Sequence, residues 1–248
     1  MDVSSYVLLS HEQALRRRLD VAANNMANTS TVGFKREQPL FHEYVETTKE
    51  APVSEARNTS FVLDYGAVHD AAQGAFQATG NPLDVMIDGP GYLNVEAPGG
   101  GGTAFTRAGL IRVSEAGELV TSGGQRILGE GGRPIQVPAE QRGSLAVMAN
   151  GTVVGTDGAP GRLTVTVFDD ERAVNPRGDG LMNGQGGREL AAAETRLKVG
   201  GVEASNVQPI VETTQMVEIL RSYQSSQRMS ESLSDMRKNA IGRLGRIN

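Results

Sequence analysis

Apolar residues recur at helical spacing at both ends of this sequence and at shorter, alternating spacing between them. Near the start, Leu8, Leu15, Leu19, Ala22 and Met26 follow one another at steps of 7, 4, 3 and 4, which places them on one face of a helix from Ser4 to Ala27. At 1.5 Å per residue that helix is about 35 Å long. It ends among Asn24, Asn25 and Asn28, and Thr29-Ser30-Thr31-Val32-Gly33 reads as a turn in which Gly33 is free to take the left-handed conformation.

The other end behaves alike. From Val202 to Ile241 there is no glycine, and Met216, Ile219, Leu220, Tyr223, Leu233 and Met236 restore the helical period. Ser205 or Asn206 is placed to cap free amides, with Pro209 in the first turn where a missing N–H costs least. Gln224, Ser225, Ser226, Gln227 and Ser230 dilute the seam. Such a helix offers little apolar area to a monomeric core and suits a tight, partly polar assembly.

Between the helices, apolar or alternating segments run over Pro82–Ile87, Gly91–Val95, Phe105–Val113, Glu118–Thr121, Gln125–Leu128, Leu145–Ala149 and Leu163–Phe168. Asn150-Gly151 and Asp157-Gly158 separate some of them with hairpin-grade turns. Of the 31 glycines, 24 lie between positions 81 and 200, a density that calls for frequent positive-φ turns and therefore for meandering strands. The stretch from Asp170 to Arg188 reads as an exposed loop, from its Asn-Pro, Asp-Gly and Asn-Gly pairs. The fold class predicted is α+β: terminal helices pair into a coiled-coil-like domain, and a glycine-rich β domain is inserted between them. Two helices with one apolar seam each are marginal alone in water, so they should pair with each other and with other copies.

A net charge of −5 and a pI near 5.3 argue against a nucleic-acid partner, since neutralising phosphates needs clustered Lys and Arg. The absence of cysteine excludes disulfides and thiolate metal sites. No apolar run approaches the roughly 20 residues that cross a bilayer, so no direct membrane insertion is expected. The start of the sequence has an early Asp2 and no basic n-region, and no cleaved signal is expected.

Candidate chemistry is sparse. His11, His42 and His69 are scattered without a metal-ligand spacing, and no metal or cofactor is expected. Gly89-Pro90-Gly91 lacks the third glycine of a dinucleotide fingerprint, with Asn94 in its place, and reads as a turn. Gly99–Gly102 precedes a strand-like Thr103-Ala104-Phe105-Thr106 instead of the helix that a phosphate cradle needs. Asp169-Asp170-Glu171 clusters carboxylates without a catalytic frame, and no residue is assigned a catalytic role. Arg177-Gly178-Asp179, the Asn-x-Ser/Thr triplets at Asn28, Asn58 and Asn150, and the run Arg16 to Arg18 read as short chance patterns or solvated faces.

The termini also carry a resemblance. Leu19-Asp20-Val21-Ala22-Ala23-Asn24-Asn25-Met26-Ala27-Asn28, followed by Thr31-Val32-Gly33-Phe34-Lys35, resembles the N-terminal signature of bacterial flagellar rod and hook proteins. Gly201-Val202-Glu203-Ala204-Ser205-Asn206-Val207, leading into Glu212, Met216 and Arg221-Ser222-Tyr223, is similar to that family's C-terminal motif. Gln73-Gly74, Asn81-Pro82-Leu83-Asp84 and Phe105-Thr106-Arg107-Ala108-Gly109 resemble its shared β domain. Within the family, the length and Leu128-Gly129-Glu130-Gly131-Gly132 look most like the proximal-rod type, with the distal-rod type as the alternative. Arg221-Ser222-Tyr223-Gln224, where Arg-Ala-Tyr-Glu is commoner, and the basic tail of Arg237, Lys238, Arg243 and Arg246 depart from the pattern.

The resemblance implies a structural subunit without catalysis or cofactor, which polymerises into the hollow drive shaft that transmits torque for motility. Its partners would be further copies, other proximal- and distal-rod proteins and the flagellar type III export apparatus, and its place the basal-body rod across the periplasm. The implied domains are 1–35 with 203–248 as the helical assembly domain, 36–80 as an extended connector and 81–200 as the outer β domain. Leu8, Leu15, Leu19, Ala22, Met26, Met216, Ile219, Leu220, Tyr223 and Leu233 would form the assembly interface. Asn24, Asn25, Asn28, Gly33, Phe34, Lys35, Asn81, Pro82, Leu83, Asp84, Ser205, Asn206 and Val207 are the motif residues. A reading from another class is a secreted β-domain hydrolase or binding module using Asp169, Asp170 and Glu171.

Overall fold

The computed structural model describes residues 3–47, 58–169, 174–177 and 179–244. The chain divides into two units, each assembled from segments distant in sequence: Met1–Ala27, Glu37–Val68 and Gln208–Asn248 in one, Asn28–Arg36 and His69–Val207 in the other. The fold class is α+β, with terminal helices bracketing a β-rich middle.

In the helical unit, α1 (Val3–Ala27) packs against α2 (Pro209–Leu244) and against β1 (Glu37–Thr47), which pairs with β2 (Asn58–His69) in a two-stranded sheet. The Gln208 carbonyl accepts the Glu212 N–H at 3.1 Å, so α2 opens with Pro209 at its first position, where no N–H is needed. Ser205 and Asn206 do not cap it: Ser205 Oγ accepts the Val207 N–H at 3.3 Å and Asn206 Oδ1 accepts the Arg36 N–H at 2.6 Å.

The β unit contains fifteen short strands among the described residues. In chain order they are β3 (Phe76–Ala78), β4 (Val85–Ile87), β5 (Tyr92–Glu96), β6 (Thr103–Thr106), β7 (Ile111–Val113), β8 (Leu119–Thr121), β9 (Ala146–Val147) and β10 (Thr152–Gly155). There follow β11 (Gly158–Arg162), β12 (Val165–Val167), β13 (Val174–Pro176), β14 (Met182–Gly184), β15 (Arg188–Glu189), β16 (Leu197–Val199) and β17 (Gly201–Glu203). The largest sheet has the order β13-β14-β6-β5-β12-β15; β11-β10-β9 forms a second, and β16-β4, β17-β3 and β7-β8 are pairs. The strand pairs of the β unit are antiparallel, with Leu93 opposite Thr106 on one side of β5 and Val165 on the other. Leu93, Ile111, Leu119, Ile127, Val153 and Leu163 are completely buried in one core. A smaller cluster stacks Phe168 edge-on against Phe105 at 5.0 Å and Tyr92 at 6.1 Å.

The turns follow the sequence closely. Gly151, at φ +85°, closes the connection between β9 and β10, while Thr156-Asp157 is the two-residue loop between β10 and β11. Two expectations change. Phe105–Val113 is not one strand, because Gly109 lies against the Val85 carbonyl so closely that a Cβ would sit 1.7 Å from its oxygen; the chain bends there between β6 and β7. The stretch expected as a loop from Asp170 to Arg188 supplies β13, β14 and β15, because Val174 and Leu181 are buried. Asp170, Glu171 and Gly178 lie outside the described residues.

Candidate functional site

The helical unit is organised by one antiparallel seam. Asn25 Nδ2 donates to Glu212 Oε2 at 3.4 Å, and Ser226 Oγ donates to Glu12 Oε1 at 3.3 Å, which sets the opposed direction of α1 and α2. On α1 the inward positions are Leu8, Glu12, Leu15, Leu19, Ala22 and Met26; on α2 they are Glu212, Met216, Ile219, Tyr223, Ser226 and Leu233. Steps of 4 and 3 alternate along α1 and along α2 as far as Ser226, with Leu233 a further seven residues on, the spacing that keeps a seam in register over several turns. Leu15, Ala22 and Ile219 are buried, and Leu8, Leu19, Met26, Met216, Tyr223 and Leu233 are half-buried. Leu220 lies outside the seam, 43% exposed.

Polar members of the seam are the ones that apolar periodicity passes over. Glu212 and Ser226 are buried, and their signal in the sequence is only that they continue the spacing of Ile219. Asn25 does not end α1. Its amide Nδ2 donates to the Glu37 carbonyl at 2.9 Å and its Oδ1 accepts the Glu37 N–H at 2.8 Å, so it joins α1 to the edge of β1 as well as to α2. Asn24 is exposed. Arg17 Nε lies 3.2 Å from Asp64 Oδ2, a second tie between α1 and the two-stranded sheet.

In the β unit, motif residues from three parts of the chain converge. The turn after α1 is closed by the Thr31 N–H to the Asn28 carbonyl at 3.1 Å, the Thr31 hydroxyl to Asn28 Oδ1 at 3.0 Å and the Phe34 N–H to the Thr31 carbonyl at 3.3 Å. Gly33, at φ +71°, brings this turn onto the Arg107 backbone; a Cβ there would meet the Arg107 carbonyl carbon at 2.5 Å. Lys35 then enters the interior, where Nζ donates to Glu203 Oε1 at 2.6 Å and to the Ala72 carbonyl at 2.8 Å. Glu203 also accepts from Arg107 Nη1 at 3.1 Å and from the Gly74 N–H at 2.9 Å. Arg107 Nη2 reaches the Gly89 carbonyl at 2.9 Å, and its guanidinium stands 5.4 Å from the centre of the Tyr92 ring. Lys35, Arg107 and Glu203 are all buried.

Asn206 completes the junction. Its Oδ1 holds the Arg36 N–H, and its Nδ2 donates to the Asp70 and Ala72 carbonyls at 3.1 and 2.9 Å. Ser205 and Phe34 are half-buried beside it, and Val207 is buried. The segments beginning at residues 28, 69 and 201 thus meet through side chains whose individual types gave no sign of partnership.

Asn81-Pro82-Leu83-Asp84 makes a β-turn: the Asp84 N–H donates to the Asn81 carbonyl at 3.1 Å, with Pro82 at the second position, where its fixed φ belongs. Asp84 is buried and fully engaged. Its carboxylate accepts from the Thr79 hydroxyl at 2.7 Å, Asn81 Nδ2 at 2.8 Å and the Ile111 N–H at 3.4 Å. Pro82 is exposed and Leu83 packs against the main core.

The buried carboxylates are engaged by their neighbours: Glu203 by Lys35, Arg107 and the Gly74 N–H, and Asp84 by Thr79, Asn81 and the Ile111 N–H. His11 is exposed, His42 stacks at 5.2 Å from Tyr65 and His69 lies against the Lys35 carbonyl. Among the described residues no group of three or more His, Cys, Asp or Glu is disposed to hold a metal ion, and no helix is long and apolar enough to cross a membrane. Gly89 and Gly91, at φ +115° and +121°, turn the chain from β4 to β5.

Three family profiles match in the order of the chain: Flagella basal body rod protein over residues 6–35, Flagellar hook protein FlgE/F/G D1 domain over 86–160, and Flagellar basal body rod FlgEFG protein C-terminal over 198–243. A flagellar basal-body rod protein FlgF of Caulobacter vibrioides is 34% identical, with the whole of both chains covered. FlgF of Mesorhizobium japonicum is 31% identical over 99% of each chain, and FlgG of Bacillus subtilis is 29% identical over 91% of this chain and 93% of its own. With the seam on the first and last of those stretches, and with Lys35, Arg107, Glu203 and Asn206 of the junction inside them, the chain belongs to the flagellar basal-body rod protein family.

Proposed function

We propose that this chain is a non-catalytic subunit of the proximal rod, polymerising with further copies and with other axial proteins into the hollow shaft that transmits torque. The observation that carries the reading is the apolar surface left on the helices once the seam is closed. Tyr6 and Leu9 on α1, and Val217, Leu220, Met236 and Ile241 on α2, stand between 43% and 71% exposed. Side chains of this kind, spread along two long helices, suit burial against other copies. In this reading the segments 1–35 and 203–248, which carry α1 and α2, form the inner tube, and the β domain of residues 81–200 braces it outside. The proximal position is supported by relatives named FlgF at 30 to 34% identity over at least 99% of this chain, against 28 to 29% over 90 to 91% for those named FlgG. The subunit is exported by the flagellar type III apparatus and stands in the periplasmic span of the rod.

Because the chain has no cysteine, single cysteines report on one place each. A maleimide should label Leu220→Cys in the free subunit and fail to do so in isolated basal bodies, while Asp157→Cys, in the exposed loop between β10 and β11, should label in both. Equal labelling of position 220 in both states would overturn the assembly role of that helix face.

A further inference from the structure

We propose that the two polar pairs of the helical seam, Asn25 with Glu212 and Glu12 with Ser226, determine its register: they select one axial alignment of α2 on α1 from those that the apolar spacing allows. The apolar positions alone do not choose. Both series repeat at seven residues, so Leu8, Leu15 and Ala22 on α1, or Met216 and Tyr223 on α2, present equivalent faces after a slip of one repeat. The polar pairs break that equivalence. Asn25 Nδ2 donates to Glu212 Oε2 at 3.4 Å and Ser226 Oγ to Glu12 Oε1 at 3.3 Å, and the two bonds together set Leu19 level with Ile219.

Either slip of seven residues separates both pairs. In one direction Glu212 comes level with Leu19 and Glu12 with Ile219; in the other Glu212 passes beyond the end of α1, Ser226 comes level with Leu19 and Glu12 with Leu233. Glu212, at 1% exposed, would in the first slip exchange an amide donor for a hydrocarbon that offers no hydrogen bond. The α1 side of the lock is itself held in place, because the Asn25 amide also donates to the Glu37 carbonyl at 2.9 Å and accepts the Glu37 N–H at 2.8 Å. Register sets the outer face as well. A slip of seven residues moves the exposed Tyr6 and Leu9 by about 10 Å along the exposed Val217 and Leu220, so one alignment presents one surface to whatever packs on it. The lock rests on contacts within one copy, and its test is separate from that of the rod.

Spin labels on the full-length chain test it, since there is no native cysteine and His11→Cys and Thr213→Cys each replace an exposed residue on one helix. Pulsed dipolar spectroscopy should give one distance between them in the otherwise wild-type chain. Glu212→Leu with Ser226→Leu removes the α2 half of both pairs and should add a second distance displaced by about 8 Å or more, from the roughly 10 Å length of seven helical residues. Glu212→Gln, which keeps a polar partner for Asn25, should retain the single distance. An unchanged single distance in E212L/S226L, or a second distance in E212Q or in the wild-type background, would overturn the proposal. Loss of helical circular dichroism in E212L/S226L would overturn it too, by making the pairs a requirement for folding instead of for register.

Discussion

Gly33 shows how one position can be dictated twice over. Its φ of +71° lies where side chains are strained, and a Cβ would penetrate the Arg107 backbone at 2.5 Å, an obstacle that cannot swing aside. Gly33→Ala should therefore destabilise the β unit by about 2 kcal/mol or more, read as a lower urea midpoint with unchanged slope. The positive φ was legible from the Thr-Val-Gly turn; the contact with Arg107, 74 residues away in sequence, was not. Lys35, Glu203 and Asn206 were visible as motif residues, but nothing in their spacing says that they meet, since only the folded topology brings 35, 107, 203 and 206 together.

A surface ion pair makes the opposite case. Glu194 accepts from Arg188 Nη1 at 2.8 Å and from the Ala191 N–H at 3.2 Å, and these hold its carboxyl below the ordinary carboxylate value. A carboxyl depressed in the folded state helps above its unfolded pKa, and that help is lost as pH falls through the folded value. Glu194 is fully exposed, however, and water and salt screen the pair. Glu194→Gln should shift the Tm at pH 7 by no more than about 1 °C in a thermal melt.

At the scale of elements, long periodicity was the most readable feature. Both helices were predicted within a few residues because the apolar steps persist for several turns and few breakers interrupt them. The polar half of the seam was not read, since Glu12, Glu212 and Ser226 are surface types by chemistry and inward only by register. Short strands are less evenly legible: Asp179-Gly180 and Asn183-Gly184 outweigh the apolar signal of Val174, Leu181 and Met182, so the sequence predicts a loop where β13, β14 and β15 form. Leu15 sits in the middle of the seam, 3% exposed. Leu15→Glu places an unpaired charge there and should cost several kcal/mol in the helical unit, abolishing incorporation into basal bodies while β-unit amides keep their protection. Motility that survives L15E would contradict the seam.

At the scale of the whole molecule, the chain separates two tasks. The β unit closes its own core and holds a buried charge cluster, so its order depends on contacts within one copy. The helices carry one seam and a surplus of exposed apolar side chains, so their environment is completed by neighbours in the proposed rod. This division also explains what composition could exclude and what it could not supply: a chain without cysteine has no disulfide or thiolate site, but assembly order is a property of many copies. The family was legible because its motifs are contiguous runs near both ends of the sequence. The most direct test of the central claim is to delete the encoding gene in its native bacterium and image the basal bodies by electron microscopy. The account predicts non-motile cells whose basal bodies stop before the distal rod and hook, restored by the wild-type gene; normal swimming with intact hooks would contradict it.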